Sequence, residues 1–339
     1  MSSKLHWGLI GTGNIARQFA AGVLAGRRCE LACVGSRTGD SAQAFARTFG
    51  IAHAFANYDA VIDDSSADAI YIALPNSLHH RWTIRALQAG KHVLCEKPIA
   101  SNATEAQEMF DVAQRTGRIL VEAFMYRAHP LTAAVLRSVR EGAAGRVRIV
   151  RSSFCYRTRR TDGNIRFDAQ LAGGALMDIG CYCVDFSRLI AGGEPIEIRA
   201  IGHWHSGGVD EFVVGFMRFP GDLLASFTCG MTVQADNTAH ICGDEGYIEI
   251  PVPWKPPQQG AAYTIAHGTP PRMDRADSKS PPSPPRHTHL VDAGIDVFGV
   301  EADDFAATVL DGKPPMLRAA DSIGNMRVLD EMRRQVGTL

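Results

Sequence analysis

The first 123 residues alternate short apolar runs with segments of helical spacing, and no other feature constrains the fold as much. Residues 69–74 (AIYIAL) are apolar throughout, which is typical of a strand covered on both faces. Strands are predicted at 5–10, 30–36, 69–74, 92–96 and 119–123, with helices at 14–25, 41–49 and 77–89 and from Ser101 to Gly117. Repeated β-α units with short connections predict an α/β domain with a doubly wound parallel sheet.

The pattern changes after about Tyr126, where successive segments alternate apolar and polar residues. Strands are predicted at 147–156, 196–204, 211–219, 223–231, 238–242 and 246–250, with helices at 175–191 and 322–336. This order predicts an α+β domain with a large, mostly antiparallel open sheet. We therefore divide the chain into a first domain at 1–123 and a second at 124–339.

Residues 251–285 hold ten of the 17 prolines. Because proline cannot donate a hydrogen bond to a neighbouring strand, this segment is predicted to be a long surface loop of the second domain. Two interpretations stay open: an insertion that the fold tolerates, or an arm that covers the cleft or a partner subunit.

The composition is that of a globular protein with room for two cores: 339 residues, 45% hydrophobic and 21% charged. A formal net charge of −1 argues against a nucleic-acid partner, which usually needs a basic excess. No apolar run is long enough to span a membrane, and residues 5–10 lead directly into a glycine turn, without a signal peptide. Eight cysteines without C-x-x-C spacing predict free thiols and a cytoplasmic location. No metal site is predicted, since His203 and His205 have no third ligand nearby.

The turn after the first predicted strand has the pattern of a dinucleotide-binding turn. It reads Gly11-Thr12-Gly13-Asn14-Ile15-Ala16 and fits G-x-G-x-x-A. Gly11 permits the tight turn, Gly13 leaves room for a pyrophosphate, and Ala16 lets the next helix pack closely on the strand. The phosphates would then bind to backbone N–H groups at the positive end of that helix.

The end of the second predicted strand indicates which dinucleotide is bound. An NAD site usually has an acidic residue there, which holds the ribose hydroxyls. This chain has Ser36 and Arg37 instead, a hydroxyl and a guanidinium that suit a phosphate group. NADP(H) is therefore the favoured cofactor, and NAD(H) stays open if Arg37 only stacks on the adenine.

The segment Leu74-Pro75-Asn76 comes at the carboxyl edge of the predicted sheet, where a bound cofactor should extend. His79 follows in the next turn and is a further candidate for facing the cofactor, whereas His80 is equally well explained as a residue of the helix surface.

Glu96-Lys97-Pro98 closes the next strand at the same edge, so Glu96 and Lys97 are also predicted to line the cofactor site. A lysine at a buried strand end is costly unless it has a partner or a task. The structural alternative to a catalytic Lys97 is an ion pair with Glu96.

A third segment with chemical character begins at the paired glycines Gly173 and Gly174. Asp178 and Tyr182 follow at positions i and i+4 of a predicted helix, so they should share one face. An acid and a phenol on one face suit a site that handles a hydroxyl group, and capping of the helix by Asp178 is the structural alternative.

Together, the glycine turn, Glu96-Lys97-Pro98 and the helix with Asp178 and Tyr182 resemble the glucose–fructose oxidoreductase, inositol dehydrogenase and MocA (Gfo/Idh/MocA) family. Residues 122–130 (EAFMYRAHP) and 173–184 resemble more narrowly its branch of dimeric dihydrodiol dehydrogenases and NADP-dependent D-xylose 1-dehydrogenases. It implies a Rossmann domain, a second domain whose open sheet forms a homodimer or homotetramer, and hydride transfer on a sugar or cyclic polyol. It also implies that Arg127 contacts substrate and that Arg166 lies by cofactor or substrate. The inositol dehydrogenases have histidine where this chain has Tyr182, which argues against an inositol substrate.

The resulting hypothesis has Tyr182 as the acid/base, Lys97 as the charge that favours its phenolate, and Asp178 as the group that orients the substrate hydroxyl. The first two roles can be exchanged, because the sequence gives no distances. The alternatives are a trans-dihydrodiol dehydrogenase, a reductase of the 1,5-anhydrofructose type, and a sensor that binds NADP(H) without chemistry.

Overall fold

The computed structural model describes residues 4–268 and 285–337. The strands of its first sheet are β1 (Leu5–Ile10), β2 (Cys29–Gly35), β3 (His53–Phe55), β4 (Ala69–Ile72), β5 (His92–Glu96) and β6 (Leu120–Ala123). Its helices are α1 (Asn14–Ala25), α2 (Gly39–Phe49), α3 (Asp59–Asp63), α4 (His79–Gln88) and α5 (Ala103–Thr116). The strands are all parallel, in the order β3-β2-β1-β4-β5-β6, which confirms the predicted doubly wound sheet. The order changes direction between β1 and β4, and ligands of open α/β sheets bind at the carboxyl ends of such strands.

The second sheet has eight strands. They are β7 (Val147–Cys155), β8 (Glu197–His205), β9 (Val209–Phe219), β10 (Leu223–Gly230), β11 (Ala239–Gly243), β12 (Gly246–Ile250), β13 (Ala261–His267) and β14 (Arg286–Val291). Their order is β14-β13-β12-β11-β7-β10-β9-β8, and only β7 and β10 pair in parallel. The predicted mostly antiparallel sheet is therefore confirmed.

The remaining helices pack around this sheet and reach back to the first one. They are α6 (Met125–Ala128), α7 (Pro130–Arg140), α8 (Cys181–Ala191), α9 (Val297–Asp311) and α10 (Ala319–Val336), with one π-helical turn, Leu176–Gly180, before α8. Helix α10 contacts both α5 and β8. The Asp330 carboxylate accepts a 2.8 Å bond from the Ala103 amide, so this helix ties the two sheets together.

Helix α9 was not predicted, and it lies against the first sheet although its sequence follows the second. The ring centroids of Trp7 on β1 and Phe305 on α9 are 5.0 Å apart. Helices α1 and α9 cross so closely that a Cβ on Gly22 would come within 2.5 Å of the Gly299 nitrogen. The glycines at this crossing therefore let α9 bury its apolar face on the first core.

The prediction of a loop at 251–285 is wrong for part of this segment, because residues 261–267 form the strand β13. No proline occurs between Pro257 and Pro270, and this stretch contains β13, which pairs with β12 and β14. The preceding prolines flank Trp254, whose indole donates a 2.7 Å bond to the Ser153 carbonyl from inside the core. Residues 269–284 of the predicted loop lie outside the described residues.

All eight cysteines are free, as predicted. In the part of the chain that the structure describes, no helix is both long and apolar enough to cross a bilayer.

Candidate active site

The turn between β1 and α1 has the backbone that the glycine pattern requires. Gly11 has a φ of +108°, and a Cβ there would lie 2.3 Å from the Ala73 carbonyl oxygen. A Cβ on Gly13 would meet nothing within 4 Å. Gly13 is also the N-cap of α1, and it offers no side-chain bond to the first amides of the helix. Those amides and the open space above Gly13 suit a bound phosphate group.

The residues after β2 lie beside this turn. Thr12 donates a 3.3 Å bond to the Ser36 hydroxyl, which is almost fully buried. Arg37 is exposed. Within residues 4–268 and 285–337, no carboxylate is in ion-pair contact with its guanidinium. Arg37 is therefore free to bind an anion that lies next to Ser36.

The segment after β4 is half-buried and contacts the second domain. The Asn76 amide donates a 2.8 Å bond to the Ala172 carbonyl, which precedes the paired glycines. Leu74 and Pro75 are likewise partly accessible.

His79 does not face the cleft, contrary to expectation. Its side chain is completely buried. Nδ1 lies 2.9 Å from the Pro98 carbonyl oxygen, and Nε2 lies 2.9 Å from the Leu74 carbonyl oxygen. Both ring nitrogens therefore have backbone partners, and neither is free to contact a cofactor. His80 pairs with Glu108 on the helix surface at 2.8 Å.

Lys97 lies at the centre of a charged cluster that joins the two sheets. Its ammonium donates a 2.6 Å bond to the backbone carbonyl of Asp178 and is 3.5 Å from the Asp178 carboxylate. Glu96 points elsewhere: its carboxyl group accepts bonds from the Tyr71 hydroxyl and the Lys97 amide. The side-chain partner of the Lys97 ammonium is therefore Asp178, from the second domain, and not Glu96.

Asp178 lies in the π-helical turn before α8, and three side chains surround its carboxylate. Besides Lys97, the Tyr156 hydroxyl donates to Oδ2 at 2.6 Å and the Arg166 Nε donates to Oδ2 at 3.0 Å. Burial would raise the pKa of Asp178, but Lys97 and Arg166 outweigh it and hold that pKa below its ordinary value. Asp178 is therefore an ionised carboxylate at neutral pH.

The same contacts set the charge of Lys97. Burial acts to lower the pKa of its ammonium, whereas Asp178 acts to raise it, and the net effect is a pKa above the ordinary value. Lys97 therefore carries a proton at neutral pH and can donate it to a nearby oxygen atom.

Tyr182 also lies against Lys97, but through its ring. The Lys97 ammonium is 5.2 Å from the ring centroid, whereas the hydroxyl donates to the Met125 sulfur at 3.3 Å. Phe124 and Phe154 meet the ring edge to face. Burial, followed by the nearby Glu96, raises the pKa of the phenol well above its ordinary value. The expected stabilisation of a Tyr182 phenolate by Lys97 is therefore not seen.

Tyr156 is a site residue that the sequence reasoning missed. It follows directly after β7, and the alternation along that strand puts it on the same face as Val150 and Phe154, where it is half-buried. The signal was present in the predicted strand at 147–156, whose inward residues include Tyr156. What was missing was the knowledge that this strand ends beside Asp178.

Arg127 is not brought to Lys97. Its guanidinium contacts both oxygens of the Asp185 carboxylate, at 3.1 and 3.2 Å, and donates a 3.4 Å bond to the Met316 carbonyl. Asp185 also accepts a bond from the Tyr126 hydroxyl. Arg127 therefore belongs to a buried ion pair that lines a different cavity, together with Arg188.

The two histidines considered as metal ligands, His203 and His205, contact different partners. His203 is 3.1 Å from Glu211, and the His205 ring packs on Phe167. No cluster of three or more His, Cys, Asp or Glu side chains suited to a metal ion occurs among the described residues.

Comparisons with known proteins identify the family. A family model described as an oxidoreductase family with an NAD-binding Rossmann fold (GFO_IDH_MocA) matches residues 5–124, and the model of the GFO/IDH/MocA C-terminal domain matches residues 132–249.

Individual relatives are similar over most of their length. A trans-1,2-dihydrobenzene-1,2-diol dehydrogenase of Homo sapiens is 35% identical over 74% of this chain and 76% of its own. A D-xylose 1-dehydrogenase (NADP(+)) of Haloferax volcanii is 30% identical over 98% of both chains. Among solved structures, the 3-ketoreductase KijD10 of Actinomadura kijaniata, in complex with NADP and TDP-benzene, has a TM-score of 0.86 at 29% identity and 98% coverage of both chains.

Proposed function

Because the chain belongs to the Gfo/Idh/MocA family of oxidoreductases, we propose that it interconverts a hydroxyl and a carbonyl group of a sugar or cyclic polyol with NADP(H) as cofactor. The observation that carries the proposal is the position of Lys97. Its protonated ammonium projects from the end of β5 at the carboxyl edge of the nucleotide-binding sheet, and an ionised Asp178 from the second domain holds it there.

The residues at this edge fit NADP(H). The uncapped start of α1 and the open space over Gly13 suit the pyrophosphate, and Ser36 with Arg37 suits a 2′-phosphate. Leu74, Pro75 and Asn76 border the direction in which the nicotinamide half would extend. When bound, NADP(H) accepts or supplies the hydride.

Lys97 handles the proton in this proposal. In the direction of reduction its ammonium donates a proton to the carbonyl oxygen, and in the direction of oxidation the neutral amine takes the proton from the hydroxyl. Asp178 keeps the ammonium in place and charged, while Tyr156 and Arg166 hold the Asp178 carboxylate. The ring of Tyr182 packs against the Lys97 ammonium in a cation–π contact, and its hydroxyl is not available to the substrate because it donates to the Met125 sulfur.

Lys97→Met provides the test. It removes the ammonium at similar side-chain length, so we expect turnover to fall by about a thousandfold or more, in keeping with the loss of a general acid and its charge. NADPH affinity should stay within a few-fold of the original. Lys313→Met, at an exposed lysine that pairs with Asp304, is the control. Full activity of Lys97→Met would overturn the mechanism.

The substrate class comes from the names of the similar proteins, which are a dihydrodiol dehydrogenase, a D-xylose 1-dehydrogenase and a 3-ketoreductase. We favour an aldose of the D-xylose type, the substrate in the name of one relative that matches nearly the full chain. Coverage does not separate the candidates, because a dihydrodiol dehydrogenase matches as much of the chain. A trans-dihydrodiol or a 1,5-anhydrofructose-type ketone is the second candidate. Nicotinamide absorbance against aldoses, inositols, cyclic diols and ketosugars, with each cofactor, separates them. Tight NADPH binding without turnover of any of these would indicate a sensor instead.

We further propose that the enzyme works as a homodimer or homotetramer through the open sheet. The eight free cysteines fit a reducing compartment such as the cytoplasm.

A further inference from the structure

A buried carboxylate on the second sheet contacts the turn at Gly173 and Gly174, the paired-glycine turn that precedes Asp178. This carboxylate belongs to Asp210, the second residue of β9. The Leu176 amide donates a 2.6 Å bond to its Oδ2, and a Cβ on Gly174 would lie 2.2 Å from its Oδ1. Gly174 also has a φ of +115°, which favours glycine. The missing side chain therefore lets the backbone approach the carboxylate closely.

A β-bulge turns Asp210 inward. The pairing of β8 with β9 shifts by one residue here, which leaves Glu211 as an extra residue between Asp210 and Phe212. In a regular strand, Asp210 would lie on the same face as Phe212, which is exposed. Bulges redirect side chains in this way and are common next to active sites. The extra residue therefore brings a carboxylate into the interior of the domain, where it meets the paired-glycine turn.

The paired-glycine turn is joined to Asp178 by further bonds. The Gly174 carbonyl accepts a 2.9 Å bond from the Asp178 amide. The Gly174 amide donates a 2.9 Å bond to the Arg166 carbonyl, and the Arg166 side chain contacts the Asp178 carboxylate. The π-helical turn begins two residues after Gly174, and such turns are frequent at functional sites. A displacement of the paired-glycine turn would therefore move the Asp178 carboxylate.

Asp210 is mostly ionised at neutral pH in spite of its burial. Burial raises the pKa of its carboxyl group to about 6, although the bond from the Leu176 amide acts to lower that pKa. A bond to an ionised acceptor is stronger than one between neutral groups. Asp210 therefore supplies a charge-assisted acceptor at the start of the π-helical turn, whose own N-cap residue, Ala175, has no side-chain acceptor.

We propose that Asp210 is a positioning residue, which fixes the paired-glycine turn and thereby places the Asp178 carboxylate against the Lys97 ammonium. Its role differs from that of Asp178, because its bond is to a backbone amide of the turn. The inference rests on the proposed function for its effect on turnover. Its effect on the mobility of the turn does not depend on any substrate.

The experiment compares Asp210→Ala, which removes the acceptor, with Asp210→Asn, which keeps one acceptor oxygen at similar length. Asp296→Ala is the matched control, because Asp296 also accepts a bond from a backbone amide, that of Phe298 at the start of α9. A further protein combines Asp210→Ala with Asp178→Asn. The readouts are kcat with the best substrate among the sugars and diols, the dissociation constant for NADPH, and amide hydrogen exchange of residues 174–182 by mass spectrometry.

We expect Asp210→Ala to lower kcat by about tenfold or more, as for the loss of a hydrogen bond to a charged group. Residues 174–182 should exchange faster, while the NADPH dissociation constant stays within about twofold, because the nucleotide-binding turn is in the other domain. Asp210→Asn should recover most of the loss, and Asp296→Ala should match the original protein in all three readouts.

The double variant should lose less activity than the product of the two single losses, because both changes act on the same contact. Should Asp210→Ala not fold, Asp210→Ser takes its place, since the serine hydroxyl is too short to reach the Leu176 amide.

Two results would overturn the proposal. One is a double variant whose loss of kcat equals the product of the single losses, which would mean that Asp210 does not act through Asp178. The other is unchanged exchange of residues 174–182 in Asp210→Ala. If the original protein turns over no sugar or diol, the proposed function fails, and the exchange measurement still decides whether Asp210 holds the paired-glycine turn.

Discussion

Lys97 and Asp178 carry opposite charges at a place where burial acts against either charge alone. Burial pushes the pKa of Lys97 down and that of Asp178 up, and their contact reverses both effects. The two residues come from different domains, so the charged state of the site exists only when the domains are in contact. This dependence makes the pH profile a direct probe of the pair.

Asp178→Asn should move the pH profile of carbonyl reduction to lower pH. Without the carboxylate, burial is the main remaining influence, so the pKa of Lys97 falls and the protonated donor is lost at lower pH. A nearby opposite charge typically changes a pKa by about 1–3 units. We therefore expect the alkaline limb of the kcat/KM profile to move to lower pH by at least about one pH unit. Asp168→Asn, which alters a carboxylate engaged only with the Gln170 amide, is the control. An unmoved limb would exclude Lys97 as the titrating donor.

The two tyrosines near Lys97 should respond differently to loss of their hydroxyls. The Tyr156 hydroxyl donates to a carboxylate, and such bonds contribute about 1.5–3 kcal/mol, so Tyr156→Phe should lower kcat/KM by about tenfold or more. The Tyr182 hydroxyl meets only a thioether, a weak acceptor, so Tyr182→Phe should stay within about threefold. Steady-state kinetics of both variants make the comparison. A larger loss of kcat/KM in Tyr182→Phe than in Tyr156→Phe would instead support Tyr182 as the acid/base.

The sequence alone predicts Lys97 and Asp178 as site residues, because each belongs to a motif with a fixed place on a strand end or helix, and the structure brings the two side chains together. It could not show which way Tyr182 points. That direction depends on Phe124, Phe154 and Trp254, which pack on the ring from separate elements. Arg127 was expected at the substrate from the resemblance alone, and the sequence could not show that its guanidinium pairs with Asp185 on α8.

At the scale of elements, five of the six strands of the first sheet were predictable because each is a mostly apolar run. Strand β3 and helix α3 escaped prediction because they are only three and five residues long. Helix α9 is apolar on several sides, so it lacks a clear polar face. Strand β13 was not predicted, because the high proline content of residues 251–285 led to the prediction of a loop for the whole segment.

The connections after β1 and β2 together should set cofactor preference. Arg37 is exposed beside Ser36, so Arg37→Ala should remove a charge-assisted contact to a 2′-phosphate and leave the rest of the nucleotide site intact. We expect kcat/KM for NADPH to fall by roughly 10–100-fold, with the value for NADH unchanged within about twofold. Arg47→Ala, at an exposed arginine at the end of α2, is the control. Equal losses with both cofactors would assign Arg37 to the adenine instead.

At the scale of the whole molecule, the outer face of the second sheet exposes a row of apolar side chains beside its charged ones. Along β9, Phe212, Val214 and Phe216 all point outward and are exposed, in alternation with buried residues. Ile201 lies opposite Val214 on β8, with 67% of its surface exposed. Monomeric proteins rarely expose contiguous apolar patches larger than a few hundred Å².

A second copy of the chain is the occupant that we propose for this face. Charges placed at the centre of such an interface are costly to bury, so the double variant Val214→Lys/Phe216→Lys should be monomeric at micromolar concentration, where the original protein should be a dimer or tetramer. Size-exclusion chromatography with light scattering measures the masses. Leu24→Lys, at an exposed leucine on α1, should leave the assembly unchanged. Because Lys97 and Asp178 lie within one chain, the monomeric variant should still bind NADPH, and a variant that kept the original mass would place the interface elsewhere.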